Sequence, residues 1–207
     1  ADHGALLDPP TADVSGRCLS MLAQFGEMPS TSEPSKRAYD YILKEQVSDG
    51  SWYGRWGMNY IYGTWTALCA LNAAGIRHDD VRIARAVQWL VKIQNEDGGW
   101  GEDGTSYKLE YRGYEQAPST ASQTAWALMG LMAAGALDHP AVARGIEYLQ
   151  REQRDHGLWD ETRFTATGFP RVFYLRYHGY RKFFPLWALA RYRSLRRSGA
   201  TRVTVGM

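Results

Sequence analysis

Metal-binding and redox chemistry have little to work with in this 207-residue sequence. Only two cysteines are present, Cys18 and Cys69. Both fall in apolar runs and read as small core residues, not as a staple or a ligand pair. The five histidines (His3, His78, His139, His156 and His178) never pair at metal-ligand spacing. Each reads as a surface or turn residue, and no metal or other cofactor is expected. There is no Walker loop and no GxGxxG, which removes the nucleotide-binding readings. A formal net charge of +2 is too small to argue for nucleic acid as a partner. No apolar run is long enough to span a bilayer, and the opening residues are not expected to be a signal peptide. An initiator Met is also missing. The sequence starts at Ala1 in a loop-like stretch and is expected to be a piece of something longer.

What is abundant is aromatic: 8 Trp and 13 Tyr. Several of these rings sit in a pattern that occurs three times. Arg37-Ala38, Tyr41-Ile42, Gln46 and Asp49-Gly50-Ser51-Trp52 form the first copy. Arg85-Ala86, Trp89-Leu90, Gln94 and Asp97-Gly98-Gly99-Trp100 form the second. Arg144-Gly145, Tyr148-Leu149, Gln153 and Gly157-Leu158-Trp159 form the third. In each copy the Gln lies six residues before the Trp, and an aromatic lies five before the Gln. A spacing held three times marks a repeat architecture. Physically, a helix ends near the Gln and Gly supplies a positive φ for the turn. The Gln amide is then placed to bridge unpaired backbone groups at a neighbouring helix end. The Trp plugs the joint between repeats.

Between these copies lie helices of a second kind. Thr11–Phe25, Thr64–Ala74 and Ser119–Ala134 are apolar, each stopped by a Gly. They alternate with amphipathic repeat helices at Ser35–Gln46, Asp80–Gln94 and Pro140–Gln153. Asp80 is the expected N-cap of one, and Ser119 or Thr120 of another. Two layers satisfy the alternation, with buried helices inside and half-solvated helices outside. The expectation is an all-α, α/α toroid. Three hairpins and a last helix at Phe183–Arg197 make about half of a six-hairpin barrel. Met28–Glu33 reads as a linker, Gly54–Gly63 as an aromatic loop, and Gly101–Pro118 as a long loop carrying Tyr107, Tyr111 and Tyr114. Asp160–Tyr180 reads as irregular and aromatic. Both Gly54–Thr64 and Phe164–Tyr180 follow a repeat Trp, so both should emerge on one rim. Converging rings there suit a greasy cavity that must face a cation, since a ring face attracts a desolvated cation by roughly 2 kcal/mol. Packing between repeats is the competing role for any single ring. The arginines at 191, 193, 196, 197 and 202 read as a basic helix end favourable to the macrodipole.

The triple pattern resembles the QW motif of triterpene cyclases, which staples successive hairpins of an α/α barrel. The resemblance sharpens in Asp8-Pro9-Pro10-Thr11-Ala12-Asp13-Val14, in Asp49-Gly50-Ser51-Trp52-Tyr53-Gly54-Arg55-Trp56-Gly57, and in Gly168-Phe169-Pro170 with Phe173-Tyr174-Leu175. These look like the C-terminal part of the squalene–hopene cyclase family, in order and from Ala1 to about Tyr192. On that resemblance residues 1–207 are the C-terminal portion of the cyclase barrel domain. The family makes hopene or hopanol from squalene by acid-started polycyclisation. The resemblance implies that Trp56, Phe169 and Phe173 line the cavity and stabilise carbocations. It implies that Tyr62 supports the hydrogen-bond network of the acid, and that Tyr177 and Tyr180 shape the pocket for the early rings. Asp13 would belong to the polar cluster beside the acid. Arg17 stands where some members carry a His. One turn after Asp13, it would share that helix face and favour an ionised carboxylate; the plainer alternative is a surface ion pair. The acid motif itself, Asp-x-Asp-Asp, is absent, so the chain is not expected to start the reaction alone. Implied partners are squalene or a similar linear isoprenoid, the N-terminal remainder, and a membrane surface reached through the whole enzyme. A homodimer is allowed. The implied location is peripheral or monotopic on the cytoplasmic side of the cell membrane. Rival readings are a cyclase acting on oxidosqualene or a diterpene diphosphate, and a non-catalytic helical-repeat binding module. A zinc barrel like the protein prenyltransferase β-subunits lacks its ligand set here.

Overall fold

The computed structural model describes residues 9–107, 113–200 and 202–203. Among them are seven α-helices: α1 (Ala12–Gln24), α2 (Glu33–Lys44), α3 (Tyr60–Ala73), α4 (Val81–Lys92), α5 (Ala121–Ala133), α6 (Pro140–Glu152) and α7 (Tyr180–Ser198). A 3₁₀ turn spans Gly104–Tyr107, and a two-stranded antiparallel hairpin joins β1 (Ala166–Phe169) to β2 (Phe173–Leu175).

The apolar windows become an inner layer. Every residue of α5 is buried, as is all of α3 except its last residue. Helices apolar all round have no solvated face to offer and must be enclosed. In this layer α1 packs on α3, α3 on α5 and α5 on α7. The amphipathic helices lie outside it. Helix α2 packs on α1, α4 on α3 and α5, and α6 on α5. Each outer helix buries one stripe; in α4 this is Ile83, Ala86, Trp89 and Leu90. Asp80 caps α4 by accepting from the Arg82 N–H, and Thr120 caps α5 through the Gln123 N–H.

The repeated residues form the joints. Trp52, Trp100 and Trp159 are at most 2% exposed. Each indole N–H donates to the carbonyl ten residues earlier: Ile42 at 2.7 Å, Leu90 at 2.8 Å and Leu149 at 2.7 Å. Gln46 donates to Gly50 O in its own turn and to Arg82 O in the first turn of α4, both at 2.9 Å. Gln94 repeats this with Gly98 O at 2.8 Å and Ala141 O in α6 at 2.9 Å. The amide therefore reaches a carbonyl at the start of the next outer helix. Gly50 and Gly98 have φ of 103° and 86°, and a Cβ on either would stand 2.7 Å from the carbonyl oxygen of Arg85 or Arg144. No L side chain fits that approach. The third joint is different. Gln153 donates to its own turn, at Gly157 O, and nothing lies within 4 Å of a Cβ on Gly157.

Several expectations need correction. The stretch Asp160–Tyr180 is not irregular throughout, because it holds the hairpin, and α7 begins at Tyr180 instead of Phe183. Helix α3 begins at Tyr60, so Tyr62 is helical and the loop is shorter. Gly63 looked like a loop end but is a contact, since a Cβ there would lie 2.3 Å from Trp52 O. Helix α2 starts two residues early, at Glu33. Cys18 is exposed, unlike the buried Cys69. It lies on α1 with the exposed Val14 and Met21, and Phe25 at the C-cap is exposed beside them. Tyr111 lies outside the described residues.

Candidate functional site

The loop before α3 is held by side chains from four directions. Asp13, 1% exposed on the first turn of α1, accepts from the backbone N–H of Arg55 at 3.0 Å and of Trp56 at 2.8 Å through one oxygen. Glu102, 1% exposed, accepts from the N–H groups of Asn59, Tyr60 and Ile61 at 3.1, 3.1 and 3.0 Å. These are the orphan donors of the α3 N-terminus, where a carboxylate also meets the positive end of the helix dipole. Burial nevertheless pushes the Glu102 carboxyl up, from 4.5 to about 7, with the three N–H groups opposing. The Tyr107 hydroxyl lies 2.6 and 2.7 Å from the carbonyls of Gly54 and Gly57. Gln123 donates to Met58 O at 3.2 Å. From the hairpin side, the Met58 N–H donates to Thr165 O and the Thr167 hydroxyl to Arg55 O. A loop paired at this many points has little freedom left.

The loop delivers Trp56, and the hairpin delivers Phe169 and Phe173. The strand register pairs Phe169 with Phe173 across a bulge, and their rings meet edge-on at 5.4 Å. Phe173 is 44% exposed and Trp56 42%. The Arg55 guanidinium lies between Trp56 and Phe169, 4.2 Å and 5.6 Å from the two ring centres.

A second group lies along the inner layer. Arg17 donates to the Tyr62 hydroxyl at 2.8 Å and stands over the rings of Tyr62 and Trp65. Burial raises the Tyr62 phenol, opposed by Arg17. The described residues offer no acceptor for the Tyr62 proton. Tyr62 packs edge-on to Trp126 at 4.9 Å, and Trp126 meets Tyr180 at 5.8 Å and Phe184 at 5.3 Å. Tyr177, 49% exposed, lies 5.0 Å from Tyr180. Burial pushes the Tyr180 phenol up to about 12. The expected pairing of Asp13 with Arg17 is not what these residues do. Asp13 turns to the loop backbone and Arg17 to Tyr62, and among the described residues no ion pair joins them.

Sequence reasoning missed Arg55, Glu102, Tyr107 and Gln123. One signal was present: an acidic residue stands two positions after the Trp in the second and third copies. The third, Glu161, accepts from the Ser122 N–H at 2.9 Å at the start of α5, as Glu102 does at the start of α3. In the first copy that position is Gly54, whose Cβ would lie 2.5 Å from Asn59 O. An open cavity of about 510 Å³ lies between Met58, the Gly104 turn, Phe164 and Tyr174. None of the expected site residues lines it. The basic helix end is also partly spent: Arg196 pairs with Asp138, and Arg202 folds back to donate to Ile76 O and Asn72.

A two-layer helical toroid with a rim of rings is the architecture of terpene cyclases. Residues 1–194 match the model of the squalene-hopene cyclase C-terminal domain. The chain belongs to that family. It is 68% identical to a squalene–hopene cyclase of Bradyrhizobium diazoefficiens and 62% identical to one of Zymomonas mobilis, in each case over the whole chain and 31% of the relative. The chain thus spans about a third of those proteins. Among solved structures, ent-copalyl diphosphate synthase from Streptomyces platensis shares the fold at 20% identity, with a TM-score of 0.62 over 93% of this chain and 34% of that one. A type II terpene cyclase from Scytonema, solved with geranylgeranyl dihydroxybenzoate, matches at 25% identity and a TM-score of 0.54 over 78% of this chain and 41% of that one.

Proposed function

We propose that the chain acts as the C-terminal third of a squalene–hopene cyclase, supplying cavity wall to an acid carried elsewhere in the polypeptide. The observation that carries this is the convergence of Trp56, Phe169 and Phe173, from stretches far apart in the sequence, around a loop whose backbone is held at Arg55, Trp56, Met58 and Asn59. The reaction would begin with protonation of a terminal alkene of squalene or a similar linear isoprenoid. Ring faces then lower the energy of each carbocation without trapping it, as a carboxylate would by forming an ester. Water is kept out by the same surfaces. Tyr62, fixed by Arg17, has a proton to give to the acid's network, and Asp13 sets the loop beside it. Tyr177 and Tyr180 would bound the pocket for the early rings. The N-terminal remainder would cover the open flank of α1, where Val14, Cys18, Met21 and Phe25 are exposed. The whole enzyme would meet its lipid-soluble substrate at the cytoplasmic membrane surface as a peripheral or monotopic protein, and a homodimer is compatible with this. Relatives at 62–70% identity carry the squalene–hopene name, which favours this substrate over oxidosqualene or a diterpene diphosphate, and an enzyme over a binding module.

The test is the product profile of Phe169→Ala and Phe173→Ala in the full-length enzyme, at equal folded fraction. Each 1.4 kcal/mol lost from a closure slows it about tenfold, while competing proton loss is not slowed equally. A larger share of incompletely cyclised hydrocarbon is expected. Unaltered profiles in both variants would remove the aromatic-wall assignment and leave the fold standing.

A further inference from the structure

Arg55 is 7% exposed, in a loop whose backbone is already held on both sides of it. Its N–H is fixed by Asp13 and its carbonyl by the Thr167 hydroxyl. Its Nη1 donates to Gly168 O at 3.1 Å, one residue before Phe169. Its planar head lies over Trp56 and also faces Phe169. One side chain therefore ties together the two stretches that carry the rings, 113 positions apart. Few residues other than Arg can do this. The guanidinium is flat, always charged and weakly hydrated, so it stacks on a ring while its edge keeps a hydrogen bond. A Lys ammonium has one compact charge and no flat face.

We propose that Arg55 is a positioning residue that sets the separation and tilt of Trp56 and Phe169, and through them how far cyclisation runs before charge is lost. It does not touch substrate. The inference rests on the aromatic-wall reading above.

The experiment uses the full-length enzyme with Arg55→Lys, Arg55→Met and Phe169→Ala, each labelled with fluorotryptophan. The ratio of incompletely to fully cyclised product should rise roughly three- to tenfold in both Arg55 variants. Fluorine NMR should show the Trp56 resonance, assigned by its loss in Trp56→Phe, moving in Arg55→Lys more than the other Trp resonances do. A structural role alone predicts a lower melting temperature with an unchanged product ratio, and that result overturns the proposal. Should both Arg55 variants fail to fold, Thr167→Val releases the Arg55 carbonyl while leaving the Arg55 side chain in place, and is read by the same two signals. If Phe169→Ala alters the ratio and the Arg55 variants do not, the positioning role falls alone. If none alters it, the aromatic wall falls with it.

Discussion

Replacing Gly98 and Gly157 by Ala, one at a time, measures what a repeat joint is worth. Both glycines sit at the same place in their repeats, with φ of 86° and 81°. A Cβ at such a φ costs about 1–2 kcal/mol, and this cost is common to both. At Gly98 the new methyl would also stand 2.7 Å from Arg144 O and 3.2 Å from its carbonyl carbon. These are backbone atoms of α6, so the outer helix must shift and strain the Gln94 bridge to Ala141 O. Overpacking of this kind costs about 1–3 kcal/mol more. At Gly157 nothing lies within 4 Å. The predicted gap between the variants is therefore about 2 kcal/mol. For a domain of this size that is roughly 4–8 °C in melting temperature. Near-ultraviolet circular dichroism, on both variants of the 207-residue chain under one buffer, reads it. Equal losses would show that the close approach at Gly98 is not a stabilising joint. In a full-length enzyme the gap should narrow if another outer helix docks on the third joint.

Acid stability offers a second test. Glu102 is held above its unfolded value, so the folded chain binds its proton more tightly between about 4.5 and about 7. Its contribution is fully present below that window and is lost as pH rises through it, on the order of 3 kcal/mol. Burial raises Glu161 too, so denaturant midpoints across the window are compared between wild type and Glu102→Gln; the decline should be shallower in the variant, and an identical slope would contradict the assignment. Vesicle flotation is a third. No helix among the described residues is long and apolar enough to cross a membrane, and the chain is expected to leave neutral vesicles; firm retention would show an insertion element among these residues.

Much of the toroid was readable because its periodicities are local. Gln94 and Trp100 lie six positions apart and bond to Gly98 O and Leu90 O within their own repeat, and α5 is apolar on every side, so neither signal needs knowledge of a distant partner. The hairpin was hidden because Phe169-Pro170 through Phe173 is short and has Pro at its turn, which weakens strand signals. Cys18 was misplaced because an apolar stripe does not say whether a neighbour covers it. Gly63 was misread because a glycine at a close approach looks like a glycine at a loop end. At the site, the rings were legible through resemblance, but their supports were not. Arg55 acquires a role only when Phe169 is brought over it. Glu102 acquires one only when the start of α3 is laid against its carboxylate. Asp13 and Arg17 share a helix turn in sequence, yet hydrogen-bond supply decides their partners: two backbone N–H groups for one, a phenol oxygen for the other.

The measurement that bears most directly on the whole account is squalene turnover by three samples. These are the 207-residue chain alone, the remaining two-thirds of a full-length relative alone, and the two co-expressed and purified together. The sequence contains no Asp-x-Asp-Asp, and the held loop and hairpin are proposed as wall, not as acid. The account predicts cyclised hydrocarbon from the third sample only, together with protection of the Cys18 thiol from alkylation in that sample. Turnover by the 207-residue chain alone would contradict it.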